Sequence, residues 1–280
     1  MVRISADSTC DLTQALINEN NITIAPLGIA AGDKLFSDGV DITPADLFRM
    51  TEEQGILCQT AAVNTYDYVQ LFTRLKEQAD EVVHICISAE FSCCYQNACL
   101  AAAQVEGVYV VDSRNLSTGS AHLVLDGARM AREGMGGAAI AEELTKEAAL
   151  VEASFVVDTL DYLRRGGRCS ALTHLGAKLL KIKPCIEVVN GKMDVGKKYR
   201  GSYDKCIKKY VTDRLEGRED LDLSRIFVTH SGCKPATVAL VKETLLALAP
   251  FGEVIETVAG CTVSNHCGPG TLGILFKRKA

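Results

Sequence analysis

Short β-branched runs alternate with longer amphipathic stretches through the first half of the chain, and this alternation predicts a layered α/β unit with a largely parallel sheet. The runs "VRIS", "ITIAPLGIA", "EVVHICIS" and "GVYVVDS" read as strands. Between them, Ser8 or Thr9 is expected to cap a helix that starts near Asp11. In "DITPADLFRM", Thr43 stands as N-cap, Pro44 at the first helical position and Asp46 in the first turn of a helix ending at Gly55. Further helices are predicted over 66–78, over 92–106, in a segment closing at Gly134, and over 138–149.

Beyond residue 150 the pattern changes. "SFVVDTLDYLRRGGRCS" reads as a strand and short helix ending in a Gly-Gly turn, and the "NGK" after "CIEVV" signals a hairpin returning through "KMDVGKKYR". Helices over 202–216 and 235–248 flank the strand "RIFVTH", and the chain ends with the strand pair "GEVIETVA" and "TLGILFK". The expected fold class is therefore α/β: an N-terminal layered α/β domain (1–150), then a C-terminal α+β domain on an antiparallel sheet (151–280). No repeat or low-complexity linker marks the boundary.

Composition narrows the function classes. The chain has 280 residues, 48% of them hydrophobic and 23% charged, enough to bury a substantial core. Its 30 basic and 35 acidic residues are spread without a basic stripe, which argues against a nucleic-acid partner. No apolar run reaches 18 residues and the start "MVRISADSTCDL" has no apolar leader core, so a cytoplasmic protein without stable membrane insertion is expected. The 12 cysteines include no C-x-x-C pair and read as reduced, buried apolar side chains.

Polar clusters sit at the predicted strand ends, where open α/β sheets take their ligands: "DSTCDL", "CQTAAVN", "ISAEFSCC" and "DSRNLSTGS". The third raises a specific question. Its two serines, Ser88 and Ser92, could supply a nucleophile, a metal site with Cys93 and Cys94, or a cradle for an anion. Adjacent cysteines on a helix point about 100° apart and chelate one ion poorly, so no metal is expected. "EFSCC" lacks the glycines of a nucleophile elbow, and neither a GxxxxGK[ST] loop nor a GxGxxG turn is present. Each hydroxyl also suits a helix N-cap, and a helix N-terminus in turn suits an anion; Ser92 fits both roles. In the second half, Arg168 follows Gly166 and Gly167, Arg200 ends a hairpin strand, and His266 precedes the rigid "CGPGT". The other four histidines lie on apolar segments and read as satisfied core residues.

The ordered motifs "DSTCDL", "FSCCYQNA", "VDSRNLSTG", "FVVDTLDYLRRGGRCS", "LLKIKPCIEV", "KKYRG" and "HCGPGTLG" resemble the DegV family over nearly the whole chain. That resemblance implies a fatty-acid-binding subunit of bacterial fatty acid kinase. Such a subunit holds a long-chain fatty acid between its domains and presents the carboxylate to a separate ATP-dependent kinase subunit, which forms an acyl phosphate for phospholipid synthesis. It implies Thr60, Ser92 and His266 as carboxylate ligands, with Ala61 beside Thr60 and Ser117 of the fourth cluster completing the candidate ligand-binding set. Arg168 and Arg200 are implied at the mouth, facing phosphate or the kinase. No catalytic residue and no cofactor besides the bound fatty acid are expected. Two motifs depart from the family: "AAVN" follows Thr60 in place of Ser-Gln-Pro-Ser, and Cys93 and Cys94 replace Gly-Thr, so each loses a hydroxyl. Two alternatives remain: a hydrolase or phosphotransferase on a small anionic substrate using Ser92 and His266, and a regulatory protein with a vestigial pocket.

Overall fold

A computed structural model describes residues 1–171 and 182–280. His174 and the start of "LLKIKPCIEV" lie outside the described residues. β1 (Val2–Asp7) opens the chain and runs into a short 3-10 turn at Ser8–Cys10. α1 (Gln14–Glu19) begins later than expected, capped by the Thr13 hydroxyl, which accepts from the Leu16 N–H. The physical reason is that Asp11 takes a left-handed conformation (φ 52°) and Ser8 is engaged elsewhere, accepting from the Leu27 N–H and donating to Asp38. "ITIAPLGIA" is two strands rather than one, β2 (Thr23–Ala25) and β3 (Gly28–Ala31). Pro26, without an N–H, sits at the break.

β3 pairs antiparallel with both β4 (Lys34–Ser37) and β5 (Cys58–Ala61), forming a small sheet that hydropathy did not signal. α2 (Pro44–Glu52) starts on the expected Thr43 cap, completed by Asp46 into a capping box. There follow α3 (Thr65–Lys76), β6 (Glu81–Cys86), α4 (Cys94–Ala102), β7 (Val108–Asp112), α5 (Thr118–Arg132) and α6 (Gly137–Glu147). The order β2-β1-β6-β7 is parallel throughout, as the strand–helix alternation predicts. Along β6, Val82 and Cys86 face one core cluster while Val83 and Ile85 face the other. A parallel sheet covered on both faces needs such a run, apolar here except for the hydrogen-bonded His84.

The second sheet comprises β8 (Val151–Val156), β9 (Ile182–Val189), β10 (Lys192–Arg200), β11 (Leu221–Ser231), β12 (Glu253–Val258) and β13 (Thr271–Arg278). Its order is β10-β9-β8-β13-β11-β12. The Asn190-Gly191 hairpin forms as expected, both residues at positive φ (52° and 83°). The last two strands do not pair: β11 separates them, antiparallel to β13 but parallel to β12. The helix between β11 and β12, α9 (Pro235–Leu248), is the crossover that a parallel pair requires. α7 (Asp161–Gly166) and α8 (Tyr203–Leu215) complete the expected helices. Among the described residues, no helix is long and apolar enough to cross a membrane.

One helix escaped the sequence pattern, α10 (Cys261–Cys267), which carries His266. Its seven residues hold no local cap. Its free N–H groups are met instead by side chains far away in sequence: Cys261 and Thr262 donate to Asp38, and Gly260 donates to Asp11. Burial, with Asp38 adding to it, pushes the Asp11 carboxyl up from its ordinary 3.8 to about 8, although hydrogen bonds from Ser117 and Gly260 pull it down. Between those values the folded chain holds a proton that the unfolded chain lacks. This contribution to stability is thus complete below about pH 4 and is lost as pH rises through 8. In thermal melts from about pH 5 to 9, wild type is expected to lose Tm more steeply than Asp11→Asn; parallel slopes would contradict the assignment.

Candidate ligand-binding site

The site is assembled at the ends of β1 and β6. Asp7, at the last position of β1, is buried and accepts three hydrogen bonds: from Tyr68 OH at 2.5 Å, from the Ile87 N–H at 2.9 Å and from His84 Nε2 at 3.2 Å. With Nε2–H donating, His84 Nδ1 accepts from the Ser5 hydroxyl at 2.9 Å, so His84 is a satisfied core histidine, as expected. Asp7, His84 and Cys86 bring three ligand-type atoms within 4.8 Å, but both Asp7 oxygens are already engaged and burial raises the Cys86 thiol well above its ordinary value. The cluster acts as a clamp that fixes where β6 ends and the serine-bearing turn begins.

The two serines of that turn divide the work. Ser88 is buried, donates to the Gly191 carbonyl at 2.8 Å and accepts from the Glu90 N–H, which keys the β9–β10 hairpin tip to the parallel sheet. Arg114 supports the same tip by donating to the Asn190 carbonyl. α4 begins two residues later than expected and its N-cap is Cys93, without a side-chain cap bond, because Ser92 stands just outside the helix, its hydroxyl accepting from the Cys94 N–H at 3.3 Å and donating to Cys94 Sγ at 3.1 Å. Ser92 also lines a cavity of about 280 Å³.

That cavity gathers residues scattered along the chain. Thr60 on β5, Ser92 before α4 and His266 on α10 share its wall with Ala61, Cys93 and Arg168. Leu27, Ile87, Phe91, Leu116, Met193 and Val263 supply apolar surface. Thr60 Oγ1 lies 3.0 Å from His266 Nε2, a contact across 206 positions of sequence. The Gly-Gly turn after α7 makes room for it. A Cβ at Gly166 would lie 2.2 Å from His266 Nδ1, and Gly167 supplies the left-handed conformation (φ 66°) that ends the helix. Arg168 then folds back, donating to the Gly166 carbonyl at 2.8 Å and to the Phe91 carbonyl at 3.5 Å. Burial, and then the Arg168 charge, push His266 down to about 4, so the imidazole is neutral at neutral pH.

Two neighbouring spaces give the cavity a direction. Thr60, Arg168 and His266 also line a polar vestibule of about 440 Å³, together with Tyr162, Arg165 and Asn265. Leu116, Val263 and Cys267 also line a small space of about 30 Å³ whose wall is mostly apolar surface, shared with Phe155, Leu275 and the candidate Ser117. One side is therefore hydrogen-bonding and cationic, and the other is apolar.

Two candidates lie outside the head-group cavity. Ser117 lines the small adjoining space, but its hydroxyl donates to Asp11 at 2.5 Å and so supports α10. Arg200 is exposed at the far end of β10, nine residues from the hairpin tip at Gly191, on the order of 30 Å along an extended strand. It does not line the cavity. Reading the sequence also missed Asp7 and Asp38. A carboxylate closing the otherwise uncharged run "ISAD" was the available signal for Asp7; none marked Asp38.

Comparison with known proteins places this geometry in context. The model of the DegV family matches residues 1–279. A DegV family protein from Thermus thermophilus, described as fatty-acid binding, is 29% identical, with 99% of each chain covered and a TM-score of 0.89. A stearic acid-binding protein from Eubacterium ventriosum is 25% identical with a TM-score of 0.85, covering 100% of this chain and 99% of that one. A fatty acid-binding protein of Thermotoga maritima is 28% identical over 283 residues, 97% of this chain and 96% of that protein.

Proposed function

This chain belongs to the DegV family, and from that premise we propose that it binds a long-chain fatty acid, with the carboxylate among Thr60, Ser92 and His266. One observation carries the proposal: these three residues, from three distant segments, line a single cavity that is polar toward the vestibule and apolar toward the core. Two hydroxyls and a neutral imidazole suit one delocalised negative charge, and the Arg168 guanidinium adds long-range attraction. The acyl chain extends past Leu116 and Val263 toward the small space they share with Phe155 and Leu275. The carboxylate then faces the vestibule, where Arg165 and Arg168 offer a cationic lining to a phosphoryl group. A separate ATP-dependent kinase subunit would convert it there to an acyl phosphate. A Ser92 nucleophile with His266 as its base draws no support: the Ser92 hydroxyl donates to Cys94 and the ring contacts Thr60.

The test is a titration with octadecanoic acid and with its methyl ester. The acid is expected to bind one per chain and the ester at least about five-fold more weakly, because the ester leaves buried donors without a charged acceptor. Equal affinities would overturn the head-group assignment.

A further inference from the structure

We propose that Thr262 supplies a further hydrogen bond to the bound carboxylate, an inference that rests on the fatty-acid reading. Thr262 is 5% exposed and lines the same cavity as Thr60, Ser92 and His266. Its N–H is engaged with Asp38, but its hydroxyl is buried and has no hydrogen-bond partner among the described residues. A threonine inside a helix ordinarily donates to a carbonyl one turn earlier. Thr262 is the second residue of α10, where no preceding helical turn exists to accept.

The position also fits the charge it would meet. Thr262 and His266 are four residues apart on α10, so they stand one above the other on the same face, about 5–6 Å apart at their Cβ atoms. A carboxylate between two donors so spaced can offer one oxygen to each. A buried hydroxyl gains most from a hydrogen bond to a charged acceptor, and a carboxylate is an acceptor-only group.

The variants Thr262→Val, of the same shape, and Thr262→Ser, which keeps the hydroxyl, separate this role from packing. Octadecanoic acid and its methyl ester serve as probes, with Ser92→Ala measured alongside. Thr262→Val is expected to weaken the acid about five-fold or more while leaving the ester within about two-fold, and Thr262→Ser to stay within about two-fold of wild type for both. Without ligand, Thr262→Val is expected to melt at or above the wild-type temperature, by up to about 2–4 °C, since it removes an unsatisfied buried group. Equal loss of acid and ester, or a lower apo Tm, would assign the hydroxyl to packing and overturn the inference. Wild-type acid affinity in Thr262→Val alongside a loss in Ser92→Ala would overturn it while the fatty-acid reading stands. Wild-type affinity in both variants would remove both.

Discussion

Replacing Asp7 by alanine is expected to cost the folded state on the order of 4 kcal/mol. The magnitude follows from what is left behind. Tyr68 OH, His84 Nε2 and the Ile87 N–H all donate to Asp7, and all three residues are buried. An orphaned buried donor costs roughly 1–3 kcal/mol, and partial relaxation keeps the total below the simple sum. The Tyr68 ring packs against both Phe72 and His84, so it has little freedom to swing toward water. Tyr68→Phe removes only one donor and is expected to cost about 1 kcal/mol. The double variant should cost less than the two single changes together, because Tyr68 no longer has a donor to strand. Urea unfolding of the four proteins measures all of this, and a loss under about 1 kcal/mol for Asp7→Ala would contradict the role given to the carboxylate. The consequence reaches the site, since Asp7 fixes the Ile87 N–H immediately before the turn that carries Ser88 and Ser92.

Ser92→Ala and His266→Ala are each expected to weaken fatty-acid binding by roughly 1–3 kcal/mol, about 5- to 150-fold. Both side chains line the cavity where its polar and apolar parts meet. For Ser92 part of the loss arises indirectly, because its hydroxyl also accepts from the Cys94 N–H and so holds the first turn of α4. Loss of that hydrogen bond lowers stability by about 1 kcal/mol, and a parallel melt separates that from the affinity change. His266→Ala leaves Thr60 without its ring partner and opens space beside Gly166. Gln at position 266, which retains a donor, should recover part of the affinity. Direct titration with a fatty acid gives the answer, and unchanged affinity in both alanine variants would remove the carboxylate from this end of the cavity.

How much of this was legible in the sequence depends on the distance over which each feature is determined. The capping box at Thr43 and Asp46, the Asn190-Gly191 turn and the parallel strands of the first sheet are set within a few residues, and periodicity and turn chemistry found them. α10 is different: its N-terminal N–H groups are satisfied by Asp11 and Asp38, more than 200 positions away, so no local signal existed. The small sheet on β3 shares that difficulty, since its strands have four residues each and Leu35 on β4 is exposed. For the site, residue chemistry alone left Ser92 between cap and ligand, and the structure puts it one residue before the N-cap Cys93, in the cavity wall. His266 was singled out by the rigid turn after it and Thr60 was reached through motif resemblance, but nothing in their local sequence announces a 3.0 Å contact. Local sequence likewise does not place Ser117 and Arg200: the Ser117 hydroxyl is turned to Asp11 while the residue lines the small space beside the cavity, and Arg200 stands at the far end of β10.

The central claim is that the cavity beneath Thr60, Ser92 and His266 holds a fatty acid. The most direct measurement is a denaturing organic extract of the purified protein, incubated with a mixed fatty-acid panel and washed, then analysed by mass spectrometry beside a control protein from the same host. The account expects close to one fatty acid per chain, reduced in His266→Ala and absent from the control. An extract no richer in fatty acid than the control would contradict it.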